Sequence, residues 1–241
     1  MTLEGKAVLV TGANRGIGQA LVKEALSRGA RRVYAGTRQP LAHPDRRVTP
    51  LALEVTSTAQ IQAAAGRVDS LDLLINNAGV ALYDDLGDRG VLEQHLAVNL
   101  FGIYDVIRAF LPLLTDSRGA IVNNLSLNAF APLPVIPAYS VSKAAAFSLT
   151  QSHRALLAGR GVNVHAVLTG PTDTDINRDL DIPKASAESV ARAIFDGVER
   201  GEDDIFPDPL SRSLADSWRA GPVKAFEREL AASVAAAPAA S

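Results

Sequence analysis

The chain has 241 residues, of which 47% are hydrophobic and 21% are charged, a composition typical of a globular protein that buries a substantial core. Its formal net charge of −2 gives no sign of a nucleic-acid partner, and the lack of cysteine excludes disulfides, thiolate metal sites and a cysteine nucleophile. Because no signal-peptide pattern opens the chain and no apolar run approaches the roughly 20 residues that span a bilayer, we expect a soluble, cytoplasmic protein with neither membrane nor nucleic-acid partners.

Short apolar runs alternate with longer helical patterns along the chain. In chain order, we predict strands over residues 6–10, 32–36, 48–55, 71–75, 120–125, 162–168 and 204–206. Helices are predicted over residues 16–28, from residue 57, and over residues 91–114, 138–157, 188–200 and 211–230. Apolar strands that alternate with helices are typical of a parallel sheet covered on both faces. The prediction is an α/β fold, a single domain over residues 1–241 with a doubly wound parallel sheet, whose residues 231–241 form a loosely ordered tail.

A glycine-rich segment, Thr-Gly-Ala-Asn-Arg-Gly-Ile-Gly at residues 11–18, follows the first strand and opens the first helix. In that context Gly12 permits a tight turn, Gly16 lets the backbone approach a pyrophosphate, and Gly18 lets the helix pack closely on the sheet. The helix N-terminus offers free N–H groups and partial positive charge to phosphates. The segment predicts a dinucleotide site, and the alternative is a glycine-containing turn without a ligand.

Two further motifs follow at characteristic intervals. Asn-Asn-Ala-Gly at residues 76–79 comes after the fourth strand, and Tyr139 and Lys143 form a Tyr-x-x-x-Lys pattern. With the glycine-rich segment, these motifs make residues 6–174 resemble the short-chain dehydrogenase/reductase family. The resemblance implies a Rossmann-like fold and oxidoreductase activity with a nicotinamide dinucleotide. It implies cofactor contacts from Gly12, Asn14, Arg15, Gly16, Ile17, Gly18, Arg38, Glu54, Val55, Asn77, Ala78, Gly79, Tyr139, Lys143, Gly170, Thr172 and Thr174.

The end of the second strand indicates which dinucleotide is bound. An NAD site usually has an acidic residue there to bind the ribose 2′-hydroxyl, but residues 34–38 read Tyr-Ala-Gly-Thr-Arg. Arg38, with Arg15 approaching from the glycine-rich loop, is suited to a 2′-phosphate, so we predict NADP(H). Glu54 and Val55 stand where the family often has Asp-Val against the adenine. The alternative is that both arginines are solvated.

Tyr139 and Lys143 lie four residues apart and therefore share one helix face. A tyrosine hydroxyl has an ordinary pKa near 10, and a nearby ammonium with an oxidised nicotinamide is expected to lower it. Tyr139 would then act as the general acid and base for a carbonyl or alcohol, while Lys143 binds the nicotinamide ribose. The alternative is one core aromatic residue beside a lysine that extends to solvent.

Two more catalytic residues are implied by the resemblance. Ser126, thirteen residues before Tyr139, would bind the substrate oxygen. Asn99 lies mid-helix, where asparagine is a mediocre helix former; the resemblance implies that it holds a water linking Lys143 to solvent, and the alternative is that it satisfies a bent helix. Thr169 replaces a usual proline, which is expected to loosen the turn, and Thr174 would contact the nicotinamide carboxamide.

The expected pocket wall consists of residues 81–83, 127–136 and 175–182, with few charges and several prolines. It favours an apolar ketone, aldehyde or secondary alcohol, with residues 175–182 as a short lid. The helices over residues 91–114 and 138–157 suit a homodimer, with a homotetramer as the alternative. Trp218 is expected in the core, and the alternative is that it covers the active site. The four histidines lack metal-ligand spacing. Two acidic pairs, Asp84-Asp85 and Asp203-Asp204, are expected to be solvated loop charges.

The expected function is therefore hydride transfer between NADP(H) and a small carbonyl or alcohol. Two alternatives on the same fold stay open at this point. One is a non-catalytic NADP(H)-sensing protein, since a fold does not fix a function. The other is an NADP-dependent epimerase or dehydratase, which uses the same tyrosine and lysine but tends to carry a longer C-terminal substrate domain.

Overall fold

The computed structural model describes residues 1–40, 42–174 and 181–236. The strands are β1 Ala7–Thr11, β2 Arg32–Thr37, β3 Val48–Ala52, β4 Leu73–Asn76, β5 Ala120–Asn124, β6 Asn163–Val167, β7 Thr172–Asp173, β8 Ala185–Ser186 and β9 Asp204–Ile205. Seven of them form one parallel sheet in the order β3-β2-β1-β4-β5-β6-β9, and β7 and β8 form a separate parallel pair. The predicted doubly wound parallel α/β fold is confirmed.

Helices cover both faces of this sheet. They are α1 Gly16–Ser27, α2 Thr58–Ala65, α3 Arg89–Leu96, α4 Gly102–Ser117, α5 Pro137–Leu157, α6 Ala187–Arg200, α7 Pro209–Arg219 and α8 Pro222–Ala236. One hydrophobic core lies beneath α1 and α6, and the other lies beneath α2, α4 and α5. The central strands β1, β4 and β5 are buried throughout because both of their faces are covered.

The strand order reverses between β1 and β4, which are hydrogen-bonded neighbours. From β1 the chain extends the sheet towards β3 on one side, and from β4 it extends the sheet towards β9 on the other. The loops that leave the carboxyl ends of β1 and β4 therefore diverge and open a crevice between them. Such a switch point is where doubly wound sheets bind ligands.

The helix predicted over residues 91–114 is longer than expected and is not α-helical throughout. A π-helical segment, Ala97–Phe101, joins α3 to α4, so that Arg89–Ser117 is one continuous 29-residue helix. By length and composition alone this helix could cross a membrane, although the core helix of a soluble protein has the same character. Its inner face buries Val106, Phe110 and Leu114 in the core.

The prediction of a single helix over residues 211–230 was wrong. The structure has two helices, α7 and α8, which are separated at Ala220 and Gly221. Pro222 begins α8, because a proline inside a helix lacks the N–H and clashes with the preceding turn, whereas the first helical position tolerates it. α8 includes residues 231–236 of the expected tail, and residues 237–241 lie outside the described part of the chain.

Candidate active site

The glycine-rich loop packs tightly against the neighbouring loop after β4. Gly12 has φ +66°, and a Cβ added there would lie 2.9 Å from the Cα of Ala78. A Cβ at Gly18 would lie 2.1 Å from the carbonyl oxygen of Gly12, so Gly18 keeps the helix close to its own loop. A Cβ at Gly16 would meet the Thr174 side chain at 3.1 Å. The three glycines permit close approaches that no other residue allows.

The N-terminus of α1 faces this crevice without a side-chain cap. Arg15 is the N-cap residue, it makes no side-chain capping hydrogen bond within the described structure, and the first turn has no acidic residue. The first amide N–H groups of a helix have no partners within the helix. This terminus therefore fits a phosphate, together with the loop residue Asn14 and with Ile17 in the first turn of the helix.

Hydrogen bonds connect the loops that follow β1, β4 and β5. The Thr11 hydroxyl accepts from the backbone N–H groups of Asn77 and Ala78, both at 3.0 Å. The Asn77 side chain donates to the Thr11 carbonyl at 3.1 Å and accepts from Asn124 at 3.0 Å. Sequence reasoning missed Thr11 and Asn124 as site residues, although each is a polar residue at the end of an apolar strand. The three strand ends thus form one connected framework.

Arg38 and Glu54 lie beside each other at the end of the crevice expected to hold the adenosine. The Arg38 Nε is 3.7 Å from a Glu54 carboxylate oxygen, and the Arg38 side chain is 79% exposed. An exposed ion pair of this kind contributes little energy, so the guanidinium can turn to another anion at low cost. Val55 is buried beneath Glu54, and a Cβ added at Gly102 would lie 2.9 Å from its side chain.

Tyr139, Ser126 and Lys143 come together at the carboxyl end of β5. Burial raises the pKa of Tyr139 to about 12, and a hydrogen bond with Ser126 acts in the opposite direction. Lys143 Nζ lies 5.5 Å from the Tyr139 ring centroid and donates to the Asn124 carbonyl at 3.0 Å. Burial lowers the pKa of Lys143 to about 8. The expected lowering of the tyrosine pKa is not found in the protein alone, because desolvation of the phenolate dominates.

Asn99 is fully buried in the π-helical segment. Its side-chain oxygen accepts from Val80 N–H at 3.0 Å, and its amide donates at 2.9 Å both to the Val80 carbonyl and to the Ser142 hydroxyl. A Cβ added at Gly79 would lie 3.3 Å from Asn99 Oδ1 and 3.8 Å from Lys143 Nζ. Asn99 and Lys143 therefore both lie close to Gly79, and the water relay stays a prediction.

His95 is a buried site residue that sequence reasoning missed. Its Nε2 accepts from Leu82 N–H at 3.0 Å, and its Nδ1 lies 2.8 Å from the Val91 carbonyl. This pair of contacts assigns the proton to Nδ1. The His95 ring meets the Tyr139 ring edge-on at 6.2 Å. No sequence pattern marks His95, apart from its position one turn before Asn99.

Asp84 was expected to be a solvated loop residue. It lies in a loop, but it is half-buried and interacts with the N-terminus of α5. Its carboxylate oxygens accept from Ala138 N–H at 3.3 Å, while the N-cap residue Ile136 makes no side-chain capping bond in the described structure. A carboxylate at this end also interacts favourably with the helix dipole. Asp85, by contrast, is exposed and accepts from the nearby Gly87 N–H.

The turn after β6 is held firmly, so the expectation that Thr169 loosens it was wrong. The buried Thr169 hydroxyl donates to the Asn124 side chain at 2.8 Å, and Gly170 N–H donates to Asp208 at 2.7 Å. Thr172 donates to the Gly170 carbonyl at 3.3 Å. Hydroxyl hydrogen bonds thus replace the rigidity that a proline would give this turn.

The remaining expected pocket wall is described in part. Leu82, Leu133, Val135 and Ile182 are exposed apolar residues, whereas Phe130 packs against Phe147 and Trp218. Residues 175–180, which include Arg178 and most of the expected lid, lie outside the described residues.

Comparisons with known proteins agree with this fold and identify the family. The sequence model of the short chain dehydrogenase family matches residues 6–184. The chain belongs to the short-chain dehydrogenase/reductase family, as its three motifs predicted. Membership of this family indicates an oxidoreductase.

Individual relatives cover the chain to different extents. Estradiol 17-beta-dehydrogenase 2 of Mus musculus is 33% identical over 199 residues, 76% of this chain and 52% of that protein. An uncharacterised oxidoreductase of Staphylococcus epidermidis is 30% identical over 210 residues, 78% of this chain and 89% of that protein. The chain thus spans about half the length of the mouse relative and most of the bacterial one.

A solved structure is similar over nearly the whole chain. It is a short chain dehydrogenase from Burkholderia cenocepacia J2315 in complex with NADP, with a TM-score of 0.85 and 37% sequence identity. The similarity covers 95% of this chain and 99% of that one.

Proposed function

We propose that the protein transfers a hydride between NADP(H) and a small apolar ketone, aldehyde or secondary alcohol. The observation that carries the proposal is the meeting of Tyr139, Ser126 and Lys143 beside the uncapped N-terminus of α1. A bound nicotinamide would supply or accept the hydride. The residues of this chain would bind the substrate oxygen and move its proton.

The roles of the three side chains follow from their chemistry. Ser126 donates a hydrogen bond to the carbonyl oxygen and holds it beside the Tyr139 hydroxyl. In the direction of reduction, the carbonyl carbon receives the hydride while Tyr139 gives its proton to the oxygen. A pKa of about 12 keeps Tyr139 protonated at neutral pH, which suits reduction. Oxidation of an alcohol needs the phenolate, so it is favoured at higher pH.

Lys143 supports this proton transfer electrostatically. An ammonium group 5.5 Å from the ring centroid favours the phenolate that Tyr139 leaves behind. Its own pKa of about 8 means that it is mostly charged at pH 7 and loses this charge as pH rises. Asn99 would complete the site by holding a water between Lys143 and solvent.

The preference for NADP(H) rests on charge at the adenosine end. The second strand ends without a carboxylate, and Arg38 forms a weak, exposed ion pair with Glu54. A guanidinium pairs well with a 2′-phosphate through its planar fork. The NADP in the similar Burkholderia structure supports the same choice.

An apolar substrate is supported by exposed apolar side chains. Leu82, Leu133, Val135 and Ile182, which belong to the expected pocket wall, expose apolar surface. Such a surface favours a neutral carbonyl over a carboxylate or phosphate ester.

We infer that the working form is a homodimer in the cytoplasm. α4 and its π-helical extension expose Phe101 and Tyr104, and α5 exposes Val141 and Leu156. Apolar faces of this size are typical of interfaces. Light scattering on the purified protein tests the dimer, and a tetramer or monomer would contradict it.

Loss of NADPH absorbance with a panel of carbonyls tests the activity. We expect turnover of cyclohexanone, benzaldehyde or diacetyl and little turnover of pyruvate. Tyr139→Phe should lower kcat by about 10²–10⁴-fold and leave NADPH affinity unchanged. Tyr104→Phe, on the exposed side of α4, is the matched control and should keep full activity. NADPH binding without turnover of any carbonyl would instead support a sensing protein.

A further inference from the structure

Three aromatic rings lie between the turn that carries Ser126 and the C-terminal helices. Trp218 on α7 stacks on Phe130, with centroids 4.2 Å apart and planes at 26°. Phe147 on α5 meets these two rings edge-on, at 5.3 Å from Phe130 and 5.7 Å from Trp218. Both arrangements are favourable for aromatic pairs. We call Phe130, Phe147 and Trp218 the aromatic cluster.

A single helical turn connects this cluster to the catalytic serine. Ser126 is the N-cap residue of a 3₁₀ turn, where its hydroxyl accepts from Asn128 N–H at 3.1 Å. Phe130 closes the same turn by donating its N–H to the Leu127 carbonyl at 2.9 Å. A movement of the Phe130 ring therefore moves the turn on which Ser126 is placed.

Trp218 is itself fixed on its other side. Its Nε1 donates to a carboxylate oxygen of Asp204 at 2.7 Å. Asp204 is buried in β9, so the expectation that it is a solvated loop residue was wrong. Asp204 also pairs with Arg154 at 2.8 Å and with Lys224 at 2.7 Å, and Glu227 pairs with both cations. Arg154 lies on α5 and Lys224 on α8, so this ion-pair network joins three elements at the indole.

We propose that Trp218 is a positioning residue that acts on the substrate oxygen through Phe130 and Ser126. The proposal rests on the function proposed above. The ion-pair network fixes the indole, the indole fixes the Phe130 ring, and the ring fixes the turn that begins at Ser126. A misplaced hydrogen-bond donor costs reactivity even where the chemistry is otherwise intact. The C-terminal helices thereby serve the catalytic site without contacting the substrate.

Hydrogen exchange of the backbone tests the first half of this proposal without any activity. In Trp218→Leu, the amides of residues 127–131 should exchange at least about tenfold faster, because the turn has lost its support. Amides in α1 should be unchanged. Phe130→Leu removes the stack from the other side and should give the same pattern, should the tryptophan variant fail to fold. Phe226→Leu on α8, where the ring is 60% exposed, is the matched control and should leave exchange unchanged.

Kinetics of single and double variants test the second half. Trp218→Leu should lower kcat/KM for the best carbonyl of the panel about tenfold and keep the NADPH Kd within about twofold. In a Ser126→Ala background the same substitution should change kcat/KM less than about twofold, because the two residues act as one unit. A purely structural role would give equal losses in both backgrounds.

The two proposals fail in different ways. If no carbonyl is reduced, the proposed function is wrong, and exchange alone decides the role of Trp218. Unchanged exchange at residues 127–131 in both variants would overturn the positioning role. An equal loss of kcat/KM with and without Ser126 would also overturn it, even in an active enzyme.

Discussion

Replacement of Asp204 by asparagine should strongly destabilise the fold. The Asp204 side chain is only 2% exposed and contacts Arg154 Nη2 at 2.8 Å, Lys224 Nζ at 2.7 Å and Trp218 Nε1 at 2.7 Å. Loss of one partner of a buried ion pair costs about 3–5 kcal/mol. Because both cations keep Glu227, we expect the lower end, about 3 kcal/mol. For a domain of this size that lowers Tm by roughly 6–12 °C.

The neighbouring Asp203 provides the matched control. Its side chain is 47% exposed and lies 3.8 Å from Arg154 and 3.6 Å from Lys224. An exposed pair at such distances contributes less than about 1 kcal/mol. Urea unfolding of Asp204→Asn and Asp203→Asn, followed by circular dichroism, should therefore separate the two variants. Equal losses in both would show that burial does not govern the network, and the reasoning would be wrong.

The sign of the pH dependence provides a second check on Asp204. Burial alone would raise the pKa of Asp204, but Arg154 and Lys224 outweigh it, and the pKa is lowered. A carboxyl with a depressed pKa contributes stability above its unfolded pKa of about 3.9 and loses it as pH falls through the folded value. The difference between wild type and Asp204→Asn should therefore be constant from about pH 6 to 8 and shrink below about pH 4.

Three further outcomes are expected. Arg38→Asp should lower the ratio of NADPH to NADH catalytic efficiency by about 10- to 100-fold, and an unchanged ratio would remove Arg38 from the 2′-phosphate site. Alcohol oxidation should accelerate as pH rises from 6 to 8, because it needs deprotonated Tyr139, whereas carbonyl reduction should not; parallel pH profiles for the two directions would contradict this assignment. Asp84→Ala should cost about 0.5–2 kcal/mol of unfolding free energy, because Ala138 N–H loses its acceptor. Asp85→Ala should stay within about 0.5 kcal/mol, and equal effects in the two aspartate variants would refute the capping role.

The fold could be predicted because local pattern and tertiary structure agree. A glycine-rich turn, apolar strands and amphipathic helices each specify their own segment, and helix–strand alternation restricts the topology to few choices. The break between α7 and α8 was also indicated in the sequence, because the adjacent Gly221 and Pro222 together disfavour a continuous helix. The π-helical segment was not, and neither were the hydrogen bonds of its Asn99 side chain with Val80, nineteen residues away.

The site was predicted where short motifs carry it and missed where distant residues meet. Asp84 accepts a hydrogen bond from Ala138, which lies 54 residues away along the chain, and Thr169 donates one to Asn124, which lies 45 residues away. No spacing rule encodes such contacts. The pKa of Tyr139 was misjudged for a similar reason, since a sequence shows the neighbouring charge of Lys143 but not the loss of water around the phenol.

The hydrogen bonds of Thr11, Asn77 and Asn124 have a consequence for the thermodynamics of nucleotide association. These side chains satisfy one another within the protein, so the walls of the crevice are ordered before any guest enters. A preorganised site loses little conformational entropy when it binds a ligand, so more of the contact energy remains as affinity. Asn77→Ala would therefore weaken nucleotide association chiefly through a more negative binding entropy, even if the amide itself never contacts the guest.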